Sequence, residues 1–370
     1  MPLERPKVSV IVPAYNSADT LCRAVESVLC QTERRFEIVL VEDASTDDTL
    51  RVARRLEASD PRIRLLALPE NGGQARALNR GTAIARGEWI ATLDADDRYL
   101  PTRLATLLRH GEEHGVDMVA DNQNHVDEKA GVLVTTAFPP SGGGRLITLA
   151  DFIAHSDTGA EFSFGLLKPM IRADFIRKAG LGYREGTKLG QDFYHLMQFF
   201  DAGGRGYLVH EPLYEWTLPF GPVSREWTTT GNGAWRYDYR SALEANAHFL
   251  DLLERGGRPE LVALLRRRER EYWVMVHYID AQRLLAETGD KFGAFKIIAG
   301  HPGTWPLLAR RIAGRLRRAG KGIGPGASRH PAAPETRMTG GAAREGAAPV
   351  PARTAGHRAP EAGSPRASAG

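Results

Sequence analysis

The stretch Trp89-Ile-Ala-Thr-Leu-Asp-Ala-Asp-Asp97 decides the fold, because a mainly apolar segment is followed directly by three aspartates within four residues. Its apolar residues are typical of a strand that is covered on both faces in a parallel sheet, and such a sheet binds ligands just outside the carboxyl ends of its strands. Asp94 and Asp96 flank one small residue there, so they can hold a divalent cation that keeps waters and takes phosphate oxygens. The same pattern is also typical of an ordinary turn in which Asp97 caps the helix that begins near Pro101.

Before this stretch, strand and helix patterns alternate along the chain. Residues 8–12 predict a buried strand that ends at Pro13, and Asn16 and Ser17 are candidate caps for a helix that follows at once. Apolar runs at 36–41 and 63–68 predict two further strands, with amphipathic helices between them. We therefore expect an α/β fold with a mainly parallel sheet, right-handed crossovers and helices on both faces.

Polar residues follow the strands at the edge where a ligand is expected. Asp43 and Asp94 come after two different strands and should lie beside one crevice. Asp43 can accept hydrogen bonds from a base or ribose, or it can cap the next helix. Gly72 and Gly73 open a helix whose free amides suit a diphosphate. Arg76, one turn inside that helix, either forks onto phosphate oxygens or is a solvated helix residue.

Composition limits the classes of function. The chain has 370 residues, 42% hydrophobic content and a formal net charge of +4, which indicates a folded protein and no nucleic-acid partner. Neither a Gly-x-Gly-x-x-Gly fingerprint nor a Walker-type loop occurs, which disfavours dinucleotide oxidoreductases and P-loop NTPases. Cys22 and Cys30 would stand about 12 Å apart on one helix, beyond disulfide reach. With no signal-like or membrane-spanning segment in the sequence, we expect a cytoplasmic protein.

Four motifs, in this order, resemble the family 2 glycosyltransferases with the GT-A fold. They are Val8-Ser-Val-Ile-Val-Pro-Ala-Tyr-Asn16, Val41-Glu-Asp-Ala-Ser-Thr-Asp-Asp-Thr49, Asn71-Gly-Gly73 and Leu93-Asp-Ala-Asp-Asp97. The resemblance implies a nucleotide-sugar donor and a divalent metal, Mn²⁺ or Mg²⁺. It also implies that Asp43 holds the base, that Asp94 and Asp96 hold ribose and metal-bound diphosphate, with Asp96 on the metal, and that the nucleotide pocket is lined by Pro13, Ala14 and Tyr15. Gly73 and Arg76 belong to the same predicted donor site.

The segment from Lys168-Pro-Met-Ile-Arg172 to Gln191-Asp-Phe-Tyr-His195 resembles the acceptor side of bacterial exopolysaccharide glycosyltransferases of the succinoglycan-assembly kind. Inversion by direct displacement needs a base for the acceptor hydroxyl, and Asp192 is the candidate; the alternative is that it caps a helix. The family commonly has Glu-Asp at these two positions. In this chain Gln191 replaces the Glu, so the role of that acid is left open. Lys168, Arg172 and Arg225 are candidates for steadying diphosphate or an anionic acceptor, or are solvated charges.

Residues 1–220 are predicted to form the GT-A domain, with a nucleotide-sugar half at 1–125 and an acceptor half at 126–220. A strand is expected at 118–120, followed by a polar loop at 121–127. Residues 221–320 predict a helical appendage in which Arg266, Arg267 and Arg268 form a solvated face, and residues 321–370 a disordered tail. An apolar stripe from Trp305 among five arginines at 310–318 suits an anionic membrane surface, or a helix docked on the domain.

The sequence therefore predicts an inverting, metal-dependent hexosyltransferase. The expected donor is a UDP-sugar, and the expected acceptor is a saccharide or lipid-linked saccharide of surface polysaccharide assembly. A sugar-phosphate nucleotidyltransferase is disfavoured, because its Gly-rich, Arg-containing loop is missing between Pro13 and Asp19. A non-catalytic nucleotide-sugar-binding protein of the same fold is the other alternative; Gln191 favours it, whereas Asp94, Asp96 and Asp192 together oppose it.

Overall fold

The computed structural model describes residues 5–127, 130–156, 163–187, 190–218 and 239–309. These residues fall within one compact unit that spans positions 1–323. Arg225, the arginines at 310–318 and the predicted tail at 321–370 lie outside the described residues, and the division of the chain near residue 220 stays a prediction. Within the described ranges, no helix is both long enough and apolar enough to cross a membrane.

The strands found in these ranges are β1 (Val8–Ala14), β2 (Phe36–Glu42), β3 (Ile63–Ala67), β4 (Trp89–Thr92), β5 (Arg98–Tyr99), β6 (Met118–Asp127), β7 (Val132–Thr136), β8 (Gly144–Ile147), β9 (Met170–Arg172) and β10 (Gly206–Leu218). They form one mixed sheet with the order β3-β2-β1-β4-β9-β6-β10-β5; β7 pairs with β6, and β8 with β10. Strands β1, β2, β3 and β4 are parallel, as are β6 and β10, whereas β9 runs antiparallel to both β4 and β6.

Helices cover both faces of the sheet, as the sequence predicts. Alternate residues of β1 enter different core clusters, with Ile11 on one side and Val10 and Val12 on the other. The helices are α1 (Leu21–Leu29), α2 (Thr49–Ser59), α3 (Gly73–Ile84), α4 (Arg103–Glu113), α5 (Leu149–Ala154), α6 (Ala173–Ala179), α7 (Gln191–Asp201), α8 (Tyr239–Arg255), α9 (Pro259–Thr288) and α10 (Lys291–Gly300). Two short 3-10 helices occupy Phe164–Leu166 and Pro302–Thr304.

The strand order creates a crevice beside β1. The chain builds β1, β2 and β3 outward in one direction and then returns to place β4 on the other side of β1. At such a reversal the connections leave the strands on opposite sides, and a ligand-sized gap opens at the carboxyl edge. Asp43 follows β2 and Asp94 follows β4, so the two carboxylates flank the end of β1 as expected.

The predicted boundaries around β1 are wrong in two respects. The strand does not end at Pro13 but continues to Ala14, with Pro13 opposite Val41. Proline is tolerated there because β4 pairs with β1 only as far as Ile11, so no donor is needed on that side. Helix α1 does not follow at once: its N-cap is Thr20, while Asn16 instead accepts a 2.9 Å hydrogen bond from the backbone N–H of Thr46.

The predicted polar loop at 121–127 is also wrong, since these residues continue β6. The side chains of Asp121, Asn122 and Gln123 are buried, and each has a partner elsewhere in the fold. Asp121 pairs with Arg103 at 2.7 Å, and the Asn122 side chain donates to the carbonyl of Phe138 at 2.8 Å. Gln123 donates to Leu166, and the strand is completed by its parallel partner β10.

The C-terminal helices pack on the sheet domain through a buried arginine. Arg268 does not belong to a solvated face as predicted, because it is 2% exposed. Its guanidinium lies 3.5 Å from the centroid of the Phe193 ring and donates to the carbonyl of Ser156 at 2.8 Å. Phe193 lies in α7 next to Asp192, so this contact supports the helix that carries the candidate base.

Candidate active site

Lys168 joins the two groups of acids that the sequence places far apart. Its ammonium lies 3.0 Å from Asp94 Oδ2 and 3.1 Å from Asp192 Oδ2. Lys168 lies two residues before β9, whose antiparallel pairing with β4 brings the amino end of β9 to the edge where Asp94 lies. The fold therefore brings Asp94 and the candidate base Asp192 to the same place, with a cation between them.

Lys168, Asp94 and Asp192 form a triad in which burial and charge have opposite effects on the pKa values of Lys168 and Asp192. Burial alone would lower the pKa of Lys168, but Asp192 and then Asp94 outweigh it and hold that pKa well above its ordinary value. Burial raises the pKa of Asp192, and the neighbouring ammonium offsets part of this rise. Asp192 stands in the first turn of α7, whose N-cap is Gly190, and its side chain bonds Lys168. The helix-capping alternative for Asp192 is therefore not what the geometry shows.

A pair of glutamines extends the triad, and sequence reasoning missed one of them. Gln74 Nε2 donates to Asp94 Oδ1 at 2.7 Å, and Gln191 Nε2 donates to Gln74 Oε1 at 2.5 Å. Gln191, which stands where the family commonly has an acid, is thus linked to the donor-side carboxylate through Gln74. The one local signal for Gln74 was its position directly after the glycine pair that opens α3.

Asp97 stabilises the turn after β4 and does not cap α4, which excludes the alternative in which it caps that helix. Its carboxylate accepts from Tyr214 Oη at 2.6 Å and from the backbone N–H of Thr217 at 2.8 Å, while the N-cap of α4 is Thr102. The Tyr214 hydroxyl also accepts from the backbone N–H of Asp94 at 3.4 Å. Burial, then the charges of Asp96 and Asp94, raise the pKa of Asp97 well above its ordinary value.

The carboxylate of Asp96 suits a hard divalent cation, whereas Asp94 and Asp97 are bound to Lys168 and Tyr214 and form no three-carboxylate cluster with it among the described residues. Asp94, Asp96 and Asp97 place three carboxyl groups in four residues, and their mutual repulsion is one cause of the raised Asp97 pKa. A cation beside Asp96 would relieve that repulsion, and carboxylate oxygens are the ligands that Mg²⁺ and Mn²⁺ prefer. Arg23 donates to the backbone carbonyl of Asp96 at 2.9 Å and so fixes the turn from the side of α1.

Asp43 holds the start of α3 instead of capping α2. Its carboxylate accepts from the backbone N–H groups of Gly72 and Gly73 at 2.9 and 2.8 Å, so these two amides are not free for a phosphate. Burial raises the pKa of Asp43 against these hydrogen bonds and the charge of Arg76. Each carboxylate oxygen has a second lone pair, which leaves acceptor capacity toward the crevice. Ala44 follows with φ +52°, a conformation unusual for a residue with a side chain.

The remaining predicted residues divide between the crevice and other places. Pro13 and Ala14 end β1, and Tyr15 follows it, between the exits of β2 and β4. Arg76 forms an ion pair with Glu70 at 2.9 Å and packs over the backbone of Gly72.

Arg172, one of the candidate cations, does not lie at the crevice. It lies opposite Trp89 at the other end of the β4 and β9 pair, with its guanidinium 4.4 Å from the centroid of that ring. Because the two strands run antiparallel, the segment from Lys168 to Arg172 places Lys168 at the ligand edge and Arg172 at the opposite edge.

Arg103 is a supporting residue without a sequence signal. It pairs with Asp121 through Nε at 2.9 Å and Nη2 at 2.7 Å, and Nη2 also donates to the backbone carbonyl of Lys168 at 2.5 Å. Its guanidinium stacks 4.1 Å from the centroid of Tyr99. This buried pair therefore positions the main chain of the lysine that joins Asp94 and Asp192.

Comparison with known proteins agrees with this geometry. A model of the family "Glycosyl transferase family 2" matches residues 9–160. Succinoglycan biosynthesis protein ExoO of Rhizobium meliloti (strain 1021) is 32% identical over 321 residues, which cover 85% of this chain and 87% of that protein. Succinoglycan biosynthesis protein ExoU of the same organism is 35% identical over 213 residues, or 56% of this chain and 60% of the relative.

Among solved structures, that of S. aureus TarS 1-349 in complex with UDP-GlcNAc aligns with a TM-score of 0.56 at 22% identity, over 71% of this chain and 72% of that one. This likeness confirms the GT-A fold expected from the four motifs. The identity to ExoO over most of both chains confirms the family resemblance. The chain belongs to glycosyl transferase family 2.

Proposed function

We propose that this chain is an inverting hexosyltransferase that uses a UDP-sugar and extends a saccharide or lipid-linked saccharide during exopolysaccharide assembly. The observation that carries the proposal is the Lys168 ammonium, which lies within 3.1 Å of both the donor-side Asp94 and the candidate base Asp192. The names of ExoO and ExoU, both succinoglycan biosynthesis proteins, support the acceptor class. The UDP-GlcNAc complex of a protein with the same fold supports the donor class.

The donor is proposed to lie along the carboxyl edge of β1. Its base contacts Pro13, Ala14 and Tyr15 and bonds Asp43, while ribose and diphosphate lie over Asp94 and Asp96. Gly73 and Arg76 border the diphosphate from the start of α3; for Arg76 this requires leaving Glu70, which is exposed and therefore holds it weakly.

A divalent cation, Mn²⁺ or Mg²⁺, is proposed to bind Asp96 and to complete its shell with phosphate oxygens and water. When bound, it neutralises charge on the leaving diphosphate. The turn that carries Asp96 is held rigid by Tyr214, which contacts Asp97 and Asp94, and by Arg23. Such rigidity keeps the diphosphate at a fixed distance from the groups that act on the sugar.

Asp192 is proposed to take the proton of the acceptor hydroxyl while that oxygen attacks the anomeric carbon opposite the departing diphosphate. The new glycosidic bond forms as the bond to phosphate breaks, so the configuration inverts. The charge of Lys168 opposes the rise that burial gives to the pKa of Asp192 and so favours the ionised form, which alone can accept the proton. Gln191 and Gln74 hold Asp94 in place beside them.

The test is calorimetric titration of the full chain with UDP, GDP and their sugar conjugates, with and without Mn²⁺, followed by assay of nucleotide release. We expect metal-dependent binding of a UDP-sugar that is lost in Asp96→Ala and retained in the surface control Asp174→Ala. If no nucleotide binds, the proposal is wrong. If a nucleotide sugar binds but is never turned over with any saccharide acceptor, the non-catalytic binding protein suggested by Gln191 is the better account.

Peripheral contact with an anionic membrane, on its cytoplasmic side, is proposed for the C-terminal region. Phe292, Phe295 and Trp305 are exposed large apolar side chains, and α10 also carries Lys291 and Lys296. Aromatic residues flanked by cations suit the headgroup region of a bilayer. Sedimentation with anionic vesicles at low salt, and not with neutral ones, is the expected result; no sedimentation with anionic vesicles at low salt would contradict the contact.

A further inference from the structure

The last turn of α4 carries two histidines and a glutamate on one face, at the edge of the sheet opposite Asp94. His110, Glu113 and His114 follow the spacing i, i+3, i+4, which places side chains side by side on a helix. One ligand atom from each residue lies within 4.8 Å of the other two. Among the residues with described positions, no other group of three histidine, cysteine or acidic side chains meets this condition.

His110 contributes a buried nitrogen that lacks a partner. Its side chain is buried, and Nδ1 has no hydrogen-bonding group in range. The nearest acid oxygen, Glu113 Oε2, is 3.8 Å away, which is too long for a hydrogen bond. Two ligands of one tetrahedral Zn²⁺ stand roughly 3.3 Å apart, given bonds of about 2.0–2.1 Å. Burial, then the charge of Arg109, lower the pKa of His110, which favours the neutral imidazole that metals bind.

Tyr207 orients both rings. The His114 ring stacks on Tyr207 with centroids 4.0 Å apart, and the His110 ring stacks on it at 5.2 Å. The two imidazoles are nearly parallel, at an interplanar angle of 5°. Because Tyr207 lies near the start of β10, the site joins the end of α4 to the sheet. The ring orientations are therefore set by packing before any ligand binds.

Arg109 is the group that a cation must displace. It donates to His110 Nε2 at 3.0 Å and to Glu113 Oε2 at 2.9 Å. A guanidinium only donates, so Nε2 accepts here and the ring proton lies on Nδ1. Binding at Nδ1 requires this proton to move to Nε2 and Arg109 to turn away. The Arg109 side chain is 54% exposed, so it can turn into water.

We infer that His110, Glu113 and His114 form a second metal site for a transition-metal ion of the Zn²⁺ type. This site is distinct from the turn at residues 94–97, where the proposed Mn²⁺ or Mg²⁺ would bind. Two imidazoles and one carboxylate favour Zn²⁺, Co²⁺ or Ni²⁺ over Mg²⁺, which prefers oxygen ligands. Occupancy would tie the end of α4 to β10 through Tyr207, and Arg109 competes with the metal for the same ligands. The site does not depend on the proposed transferase activity.

The test is titration of the full chain with ZnCl₂ in calorimetry, with thermal unfolding as a second readout. We expect His114→Ala to weaken Zn²⁺ binding by at least about tenfold, since even the loss of a group that merely orients a ligand has an effect of this size. Arg109→Ala should strengthen it, because the competing cation is gone. Two control variants, His248→Ala at an exposed position and Asp96→Ala at the proposed donor site, should leave Zn²⁺ affinity at His110, Glu113 and His114 unchanged. A failure of the zinc-site inference can therefore be told apart from a failure of the proposed donor site.

Zn²⁺ should also raise the unfolding temperature of the wild-type chain, and to a smaller extent that of His114→Ala, because a ligand that binds the folded state stabilises it. Equal Zn²⁺ affinity in wild type and His114→Ala would overturn the inference. Weaker binding in Arg109→Ala would overturn the competition that the hydrogen bonds indicate.

Discussion

Lys168→Met removes the ammonium group between Asp94 and Asp192 and keeps most of the side-chain volume. The amine lies 3.0 and 3.1 Å from the two carboxylates. All three side chains are mostly buried, with exposed fractions of 13% for Lys168, 22% for Asp94 and 16% for Asp192. Without the cation, two carboxylates face each other in a poorly hydrated place, so a proton binds there at higher pH.

The effects on pKa and on stability follow from this geometry. A partner cation lowers a carboxyl pKa, and Lys168 is shared between two acids, so its removal should raise the pKa of Asp192 further. As the proposed base, Asp192 can act only when ionised, so the acid side of the pH profile of kcat/KM should move to higher pH. Breaking a buried pair also destabilises a fold by about 3–5 kcal/mol, and the partial exposure here places the expected loss near the lower end.

This stabilisation should be fully present at neutral pH. The folded pKa of Lys168 is raised, so its contribution is complete below the ordinary lysine value of about 10.4 and is lost only as pH rises through the folded pKa. The assay is the pH profile of nucleotide release for wild type, Lys168→Met and the charge-preserving control Lys168→Arg. An unchanged acid side of the profile in the methionine variant, or the same shift in the arginine variant, would refute the reasoning.

Three further substitutions test the supporting structure. Arg103→Met should lower the free energy of unfolding by about 3–5 kcal/mol in urea, because Asp121 is left buried and unpaired. His195→Phe should flatten the fall in stability between pH 6.5 and 4: burial lowers the His195 pKa to about 4, so its contribution is complete above about 6.5 and about 3 kcal/mol is lost as pH falls. Gly87→Ala should cost about 1–3 kcal/mol, since the new Cβ would meet the backbone N of Ser9 at 2.5 Å.

Each of these has a control. Adding Asp121→Asn to Arg103→Met should recover part of the stability, because the orphaned charge is gone; a further loss would contradict the ion-pair account. A wild-type stability curve already flat between pH 6.5 and 4 would contradict the neutral burial of His195. Gly142→Ala, where no atom lies within 4 Å of the added Cβ, should leave urea unfolding unchanged. If it matches Gly87→Ala, close packing is not the cause.

Local patterns predicted the elements that form the crevice. The runs that became β1, β2, β3 and β4 were recognisable because each is short, apolar and bounded by turn residues, and buried parallel strands require that composition. The acids after β2 and β4 could then be placed on one edge from strand order alone. Asp94 is identified in this way from a strand exit, whereas Asp192 is identified only through the family resemblance.

The partners of these acids were not predictable, because they depend on contacts between distant parts of the chain. The sequence predicts Asp121 in a loop, because the partner that compensates its buried charge, Arg103, lies 18 positions away. Arg268 looked solvated, but it stacks on Phe193. Lys168 was one of several candidate cations, and only the antiparallel placement of β9 shows that it contacts both acids.

The most direct measurement is a paired one on Asp192→Asn: donor affinity by calorimetry and transfer rate by nucleotide release with a saccharide acceptor. Asparagine keeps the shape of the side chain and removes its ability to accept a proton. The account predicts donor affinity close to wild type and transfer slowed by about 10²–10⁴-fold, the usual contribution of a general base. Transfer at the wild-type rate would show that Asp192 is not the base and would contradict the account.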